Sequence, residues 1–369
     1  MDERAVDLDD LRSRVRGCLL AGAIGDALGA PVEFSSLEEI RRVHGSEGVT
    51  GFLPAYGLAG GAITDDTQMT LFTAEGLVRA LVRESERGTF VRPSSVIRRA
   101  YFRWLHTQGM PWPDPEWPME DSPGWLVGEG GLHHRRAPGN TCLSALAAGG
   151  MGEIERPAND SKGCGGVMRV APIGLGDVTD PFLVAAQTAA ITHGHPSGYL
   201  AAGFLGDLIA RLRRKEPLRG AIEATRQLLT SWDGHGEVLH AVDAAVDLAG
   251  RGRPSPEQLE TLGGGWVAEE ALAISLCCAL VADDVVDGLL LAVNHSGDSD
   301  STGAITGNIL GIIGGEAALP TDLLVRLELR EVITELADDL VDAFWGDGIG
   351  DAWGYDETFR RWLARYPGF

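Results

Sequence analysis

Two acidic clusters hold the side chains best suited to chemistry in this 369-residue chain. The candidate ligands are Thr64, Asp65 and Asp66 in the first cluster and Asp298, Asp300 and Ser301 in the second. Both clusters offer only oxygen, which is the ligand set that a hard divalent cation prefers. Each cluster is also an ordinary helix start, because Asp, Ser and Thr cap helices and acidic residues stabilise the first turn.

The choice between two helix caps and one metal site depends on whether the clusters meet. Each leads into an apolar stretch with helical spacing, which predicts a helix in the core. Solvent alone is therefore expected to screen the charges poorly. Carboxylates brought together in such surroundings repel one another unless a cation neutralises them. If the fold joins the clusters, a divalent-cation site becomes the favoured interpretation.

A glycine-rich turn lies between the two clusters in the chain, within residues 160–172. Gly163, Gly165 and Gly166 allow backbone N–H groups to point at an anion, as in phosphate-binding turns. The spacing matches neither a Walker A motif nor a dinucleotide fingerprint, and a plain tight turn before a helix is an equally good interpretation. Cys164 lies in the turn, but no base is identifiable beside it, which disfavours a nucleophilic role.

Four further titratable positions are candidates for binding or catalysis. His193 and His195 stand two residues apart without a third zinc ligand at a credible spacing, so we expect a local hydrogen bond at a helix end or stacking against a ligand ring. Asp26 lies within an apolar helix and is interpreted as a structural group. Glu33 follows that helix among apolar neighbours, which would raise its pKa toward the range that a general acid or base needs.

The composition predicts a soluble globular protein without a membrane partner; it disfavours a nucleic-acid role, although a nucleic-acid or small-molecule acceptor stays open. Its formal net charge of −22 repels phosphate backbones and anionic lipid, and the only dense basic run, residues 211–215, is interpreted as a solvated helix end. The five cysteines contain no C-x-x-C pair, which disfavours a disulfide framework or a structural zinc site. Since no apolar signal core or bilayer-length segment is evident, we expect a cytoplasmic protein, and a monomer.

Apolar positions recur at intervals of three and four along most of the chain, which predicts an all-α fold and one domain over residues 1–369. The predicted helices are Leu11–Leu28, Thr67–Val82, Ser94–His106, Pro181–Ile191, Ser197–Arg214, Leu218–Ser231, Gly236–Ala249, Trp266–Leu280, Asp284–Val293, Thr302–Ala318, Pro320–Leu327, Arg330–Phe344 and Asp356–Tyr366.

The first predicted helix and the helix after the second acidic cluster both carry stripes of small residues. The stripes are Gly17, Ala21, Gly25 and Gly29 in the first, and Gly303, Gly307 and Gly311 in the second. Glycine destabilises a helix relative to alanine, so this repetition calls for a compensating contact. We expect the two helices to approach each other closely.

The segment 107–140 breaks the helical pattern. Its run of prolines and tryptophans, residues 110–118, is incompatible with a regular helix. Loops of this length inside a domain are commonly functional. We expect an excursion near the mouth of the site, as a lid or as a surface loop.

Six motifs in order resemble the ADP-ribosylglycohydrolase family, which includes the ADP-ribosyl-acceptor hydrolases. They read GCLLAGAIGDALGAPVEF, ITDDTQMTLFTAEGL, RRAPGNTCLSAL, SKGCGGVMRVAPIG, ITHGHPSGYLAAGF and HSGDSDSTGAITGNILG. Any one of them would be a weak signal, whereas all six in family order are a strong one.

The resemblance implies an orthogonal multi-helix domain with two divalent cations, Mg²⁺ first and Mn²⁺ second, at the base of an ADP-ribose cleft. It implies that the six residues of the acidic clusters are the metal ligands, with Ser301 standing where threonine is common in the family. Ser161, Gly163, Cys164 and Gly165 would hold the diphosphate, in a turn where some members have asparagine at the position of Cys164. His193 would lie near the adenine or ribose, and Glu33 would sit on a mobile loop at the scissile bond.

The implied reaction is hydrolysis of the N- or O-glycosidic bond at C1″ of the distal ribose, which releases ADP-ribose from a modified acceptor. The acidic surface favours an arginine-type protein linkage, while serine, acetyl-ester, nucleobase and poly(ADP-ribose) linkages stay open. Two alternatives also stay open at this point. One is a catalytically silent ADP-ribose-binding relative, and the other is a metal-dependent phosphohydrolase that cuts the pyrophosphate.

Overall fold

A computed structural model describes residues 7–114, 116 and 123–367. Over these residues the chain forms helices and no β-strand; paired backbone outside the helices is confined to isolated bridges. The helices are α1 Leu8–Gly29, α2 Leu37–His44, α3 Asp65–Arg87, α4 Pro93–Thr107, α5 Asn140–Ala147, α6 Ala171–Leu175, α7 Pro181–Ala190, α8 Pro196–Arg213, α9 Leu218–Leu229, α10 Gly236–Gly250, α11 Pro256–Leu259, α12 Ala268–Val281, α13 Val285–Val293, α14 Ser299–Gly314, α15 Thr321–Arg326, α16 Arg330–Trp345 and α17 Glu357–Arg365. The predicted all-α fold is confirmed.

Every predicted helix is present, with ends that differ by a few residues. The difference that matters is at α14, which begins at Ser299 rather than at Thr302, so the second acidic cluster forms the cap and first turn of the helix. Four short helices were not predicted, namely α2, α5, α6 and α11. They are too short to show a clear apolar period, and α2 and α11 are identified chiefly by their serine caps, Ser36 and Ser255.

Helices α1 and α14 touch backbone to backbone, as their glycine stripes predicted. A Cβ built on Gly25 would lie 2.0 Å from the carbonyl oxygen of Gly303, and one built on Gly303 would lie 2.4 Å from that of Gly25. A Cβ built on Gly307 would lie 2.1 Å from the carbonyl oxygen of Ala21, and one built on Gly311 would lie 2.1 Å from the carbonyl oxygen of Gly17. Real Cβ atoms essentially never come within 3.0 Å, so only glycine permits this approach.

The excursion at 107–140 does not place its tryptophans at the mouth of the cleft. Trp112 packs edge-on against Phe102, and Trp125 lies under the guanidinium of Arg365 and against Tyr366. Both rings pack on nearby helices rather than facing the acidic clusters, because each finds an aromatic partner there. The predicted position at the mouth is therefore wrong for these two residues but right for the end of the segment, because residues 137–140 line the cleft described below. Residues 115 and 117–122 of the segment fall outside the described residues.

Among the described helices, none is both long and apolar enough to cross a bilayer. Buried side chains from Leu11 to Tyr366 belong to one contiguous hydrophobic core, with α1, α3 and α14 in its interior.

Replacing Gly307 with alanine should destabilise the protein by about 1–3 kcal/mol, because the added methyl forces α1 and α14 apart. Gly220 of α9 is the matched control, since a Cβ there meets nothing within 4 Å. Gly220→Ala should be neutral or slightly stabilising, because alanine is the better helix former. Urea denaturation measures both free energies of unfolding, and equal values for the two variants would contradict the packing account.

Candidate active site

The amino-terminal ends of α3 and α14 meet at a cleft of about 450 Å³. Thr64 caps α3 with Asp65 and Asp66 in its first turn, and Asp298 caps α14 with Asp300 in its first turn. The cleft is lined by Glu33, Phe34, Asp65, Asp66, Ala137, Pro138, Gly139, Asn140, Thr141, Cys142, Gly163, Cys164, Gly165, Met168, His193, Trp266, Asp298, Asp300 and Ser301. The two acidic clusters, the glycine turn, His193 and Glu33 therefore share one cavity.

Asp26 connects α1 to the start of α3, and its predicted structural role is confirmed. Its buried carboxylate accepts hydrogen bonds from the backbone N–H and the hydroxyl of Thr64, with O···O 2.8 Å, and from the same two groups of Thr67. These four donors hold the cap of α3 against α1. Since α1 is also in backbone contact with α14, Asp26 determines how the two acidic helix starts face each other.

Buried carboxylates crowd the floor of the cleft. Oxygen atoms of Glu33, Asp298 and Asp300 all lie within 4.8 Å of one another. Burial, followed by repulsion from the neighbouring carboxylates, raises the pKa of Asp66 and of Asp300 well above the usual range. The same two causes, with Asp298 the nearest contributor, raise the pKa of Glu33 to about 9.

The donor set of this cluster fits a hard divalent cation. Oδ1 of Asp66 and Oε2 of Glu33 are buried and have no hydrogen-bond partner among the described residues. The ligand atoms of the cluster itself are carboxylate and hydroxyl oxygens, while the sulfur atoms of Cys142, Cys164 and Met168 and the ring of His193 line other parts of the cleft. A cation would satisfy the orphaned atoms and relieve the repulsion at once.

Thr64 and Ser301, the two hydroxyl residues among the predicted ligands, differ in placement. The Thr64 hydroxyl donates a hydrogen bond to Asp26, so its oxygen lone pairs remain available to a cation. Thr64 is not among the residues that line the cleft. Ser301 lines the cleft, and its backbone N–H donates to the Asp300 carboxylate at 2.9 Å.

The glycine turn is a single 3₁₀ turn, Cys164–Gly166, pinned to the start of α12. The backbone N–H of Cys164 donates to the carbonyl of Trp266 at 3.2 Å, so it does not point into the cleft as a free donor. The N–H of Gly163 lies 3.4 Å from the Ser161 hydroxyl, which is a long contact. Gly163, Cys164 and Gly165 line the cleft, and the hydroxyl of Ser161 lies 3.2 Å from that of Thr141, so diphosphate binding by these residues stays a prediction.

Cys164 contacts the acidic cluster through its thiol, which donates to Oδ2 of Asp298 across 2.7 Å. Burial, and then the Asp298 carboxylate, raise the pKa of this thiol well above its usual value. The side chain therefore stays protonated and supports the orientation of Asp298, in agreement with the expectation that it is not a nucleophile.

The two histidines of the ITHGHP motif do different jobs. His193 is 2% exposed and lines the cleft beside the glycine turn, with Nδ1 2.8 Å from the hydroxyl of Thr192. Burial, assisted by the positive charge of Arg169, lowers the pKa of His193 to about 3. His195 caps α8, where its Nδ1 accepts from the backbone N–H of Ser197. They do not face a common ligand.

Several lining or supporting residues were missed at the level of sequence. Phe34 and Trp266 stack at the rim, with ring centroids 5.6 Å apart and planes 20° from parallel, although they are 75% and 44% exposed. The only sequence signals were an aromatic residue directly after Glu33 and another after three glycines. Gly139 donates its N–H to Asp65 at 3.3 Å from within the quoted motif RRAPGNTCLSAL.

A buried ion pair was also missed. Arg136 pairs with Glu328 and donates to the carbonyl of Ile63, whose N–H in turn donates to Glu328. The pair holds the residue just before Thr64, so it supports the first acidic cluster from behind. No short-range pattern connects residues so far apart in the chain.

The fold and the cleft together define a helical protein with a nucleotide-sized acidic site between two helix starts. The family model for ADP-ribosylglycohydrolase matches residues 7–350, and the chain belongs to this family. It is therefore an enzyme of the ADP-ribosyl hydrolase class.

Relatives and a solved structure agree with this assignment. A protein of Archaeoglobus fulgidus described as uncharacterized is 30% identical over 345 residues, which cover 90% of this chain and 97% of that protein. The ADP-ribosyl-[dinitrogen reductase] glycohydrolase of Rhodospirillum rubrum is 26% identical, with 87% and 92% covered. The ADP-ribosylarginine hydrolase Tri1 of Serratia proteamaculans is 23% identical, with 89% and 78% covered. A solved structure described as an ADP-ribosylglycohydrolase-related protein complex matches with a TM-score of 0.63 at 26% identity, covering 92% of this chain and 99% of that one.

Proposed function

We propose that this enzyme hydrolyses the glycosidic bond at C1″ of ADP-ribose and releases ADP-ribose from a modified protein side chain, with arginine as the favoured acceptor. The observation that carries the proposal is the meeting of Glu33, Asp298 and Asp300 within 4.8 Å in the cavity that also contains the glycine turn. A carboxylic acid beside a buried acidic cluster suits cleavage of a glycosidic bond, and an N–H-bearing turn suits a diphosphate.

The acidic clusters are the proposed site of two divalent cations, Mg²⁺ or Mn²⁺. Thr64, Asp65 and Asp66 would hold them from the α3 side, and Asp298, Asp300 and Ser301 from the α14 side. Bound there, the cations would supply Lewis-acid stabilisation and orient substrate oxygens. The orphaned oxygen of Asp66 supports this assignment.

Glu33 is the proposed proton carrier. Burial and the neighbouring carboxylates raise its pKa, which suits a group that donates its proton to the leaving atom as the bond to C1″ breaks. The carboxylate that remains can then accept a proton from the attacking water. The neighbouring aspartates are proposed cation ligands, so they are not assigned to proton transfer.

Two features support an arginine-type acceptor. The stacked Phe34 and Trp266 rings stand at the rim beside Glu33, where a guanidinium would find aromatic faces and a carboxyl group. The name of one relative, an ADP-ribosylarginine hydrolase, points to the same type of linkage. The net charge of −22 also favours a cationic substrate.

Glu33→Gln should lower kcat by about 10²–10⁴-fold, because a positioned proton donor contributes this much, while the Kd for ADP-ribose changes little. Glu38→Gln is the matched control, since Glu38 is an exposed residue of the neighbouring helix α2. Steady-state kinetics and calorimetry measure the two quantities. A Glu33→Gln enzyme with unaltered kcat would remove Glu33 from the mechanism.

Chelation with EDTA should abolish hydrolysis, and Mg²⁺ or Mn²⁺ should restore it. Isothermal titration of the stripped protein with Mn²⁺ should show two bound ions, and Asp300→Asn should lower their affinity by about tenfold or more, because one charged ligand is lost. Asp322→Asn, at an exposed position of α15, should bind as the wild type does. Full activity in EDTA, or no heat on titration, would contradict the proposed metal site.

Product analysis separates the three candidate activities. Incubation with ADP-ribosyl-arginine, ADP-ribosyl-serine and O-acetyl-ADP-ribose should yield free ADP-ribose, fastest from the arginine linkage by about tenfold or more in kcat/KM. AMP as the product would identify a phosphohydrolase, and tight ADP-ribose binding without any product would identify a silent binding relative. A serine or ester preference would leave the glycohydrolase assignment intact and overturn the acceptor proposal.

A further inference from the structure

A buried arginine is linked to the cleft histidine through a threonine hydroxyl. Arg169 is fully buried below the glycine turn, with its guanidinium 4.2 Å above the ring of Tyr101. Its Nη2 lies 2.7 Å from Oγ1 of Thr192, and that oxygen lies 2.8 Å from Nδ1 of His193. The three side chains form one continuous hydrogen-bonded chain that ends in the cleft.

The donors and acceptors in this series of hydrogen bonds assign the tautomer of His193. A guanidinium only donates, so the oxygen of Thr192 accepts from Arg169 and keeps its own proton to give. The competing acceptor, the carbonyl of Ala189, is 3.5 Å away, whereas Nδ1 of His193 is 2.8 Å away. Nδ1 is therefore an acceptor, and in the neutral ring the remaining proton sits on Nε2.

The Nε2 atom faces the glycine turn. A Cβ built on Gly163 or on Gly165 would lie 3.4 Å from Nε2 in either case, and both glycines line the cleft. Among the described residues no side chain or backbone group forms a hydrogen bond with Nε2. The ring thus presents an unused N–H donor at the place where an anion would rest on the turn.

We propose that Arg169 and Thr192 are positioning residues that hold His193 as the Nε2–H tautomer, so that it donates a hydrogen bond to a diphosphate oxygen seated on Gly163 and Gly165. The proposal rests on the function proposed above, because it takes the ADP-ribose diphosphate as the ligand. It places His193 at the diphosphate rather than near the adenine or ribose, because Nε2 faces Gly163 and Gly165. Burial and the charge of Arg169 also keep the ring neutral, with a pKa of about 3, so the donor persists at physiological pH. Neither positioning residue need touch the ligand.

Three variants test the relay while Arg169 itself is left unchanged. Thr192→Val removes the hydroxyl at nearly constant volume, and Thr192→Ser restores it. Thr188→Val is the matched control, because Thr188 is equally buried on α7 and bonds only the carbonyl of Val184 through its hydroxyl. Its backbone carbonyl, which lies 3.4 Å from Nη2 of Arg169, is kept.

Nitrogen NMR of the ligand-free protein reads the tautomer directly, with His193→Gln used to assign the signal. The wild type, Thr192→Ser and Thr188→Val should show a protonated Nε2 and an unprotonated Nδ1. Thr192→Val should show a mixture of tautomers. A wild-type ring protonated at Nδ1, or a Thr192→Val spectrum equal to the wild type, would overturn the relay.

Calorimetric titration with ADP-ribose in the presence of Mg²⁺ measures the effect of each variant on the Kd for ADP-ribose. Thr192→Val should weaken binding about tenfold, the usual effect of one hydrogen bond to a charged group, while Thr192→Ser and Thr188→Val stay near the wild type. Equal losses in Thr192→Val and Thr188→Val would mean that the threonine is merely structural. If the wild type itself fails to bind ADP-ribose, the proposed function and the ligand part of this proposal fail together, and the ligand-free spectra still decide the relay.

Discussion

The backbone contact between α1 and α14 is the constraint on which the rest of this molecule depends. Glycines in both helices bring Gly25 and Gly303 so close that no other residue fits at either position. The contact places Asp26 of α1 near the start of α14, and Asp26 in turn holds the cap of α3 through four hydrogen bonds. Loss of helix propensity at the glycines is offset by this close packing.

The fold buries several carboxylates close together at the starts of α3 and α14, which is unfavourable in the absence of a neutralising cation. Two helix N-termini face the cluster, and their partial positive charges favour carboxylates in the first turn. That help is incomplete, because burial and mutual repulsion still raise the pKa of Asp66, Asp300 and Glu33. A site that is unfavourable when empty and favourable with cations is consistent with the proposed metal-dependent chemistry.

Opposite pKa shifts have one common cause at this site. Removal of water disfavours every charged form, so it keeps Glu33 protonated and His193 unprotonated at neutral pH. In the proposed function the first is a proton donor beside the acidic cluster, and the second is a neutral hydrogen-bond donor beside the glycine turn. Arg169 is buried near His193, with Tyr101 and Thr192 as partners of its guanidinium.

The sequence by itself determined the all-α class, the close helix pair and the two acidic helix starts, because helical periodicity, glycine spacing and capping residues are local signals. Motif order was enough to indicate the family. Tertiary structure alone decided that Thr64 bonds Asp26, that the Cys164 amide is taken by Trp266, and that Trp112 and Trp125 pack elsewhere. It also decided the pairing of Arg136 with Glu328 and of Arg169 with Thr192. Such choices depend on which buried donor meets which acceptor across distant segments, and no periodicity in the chain encodes that.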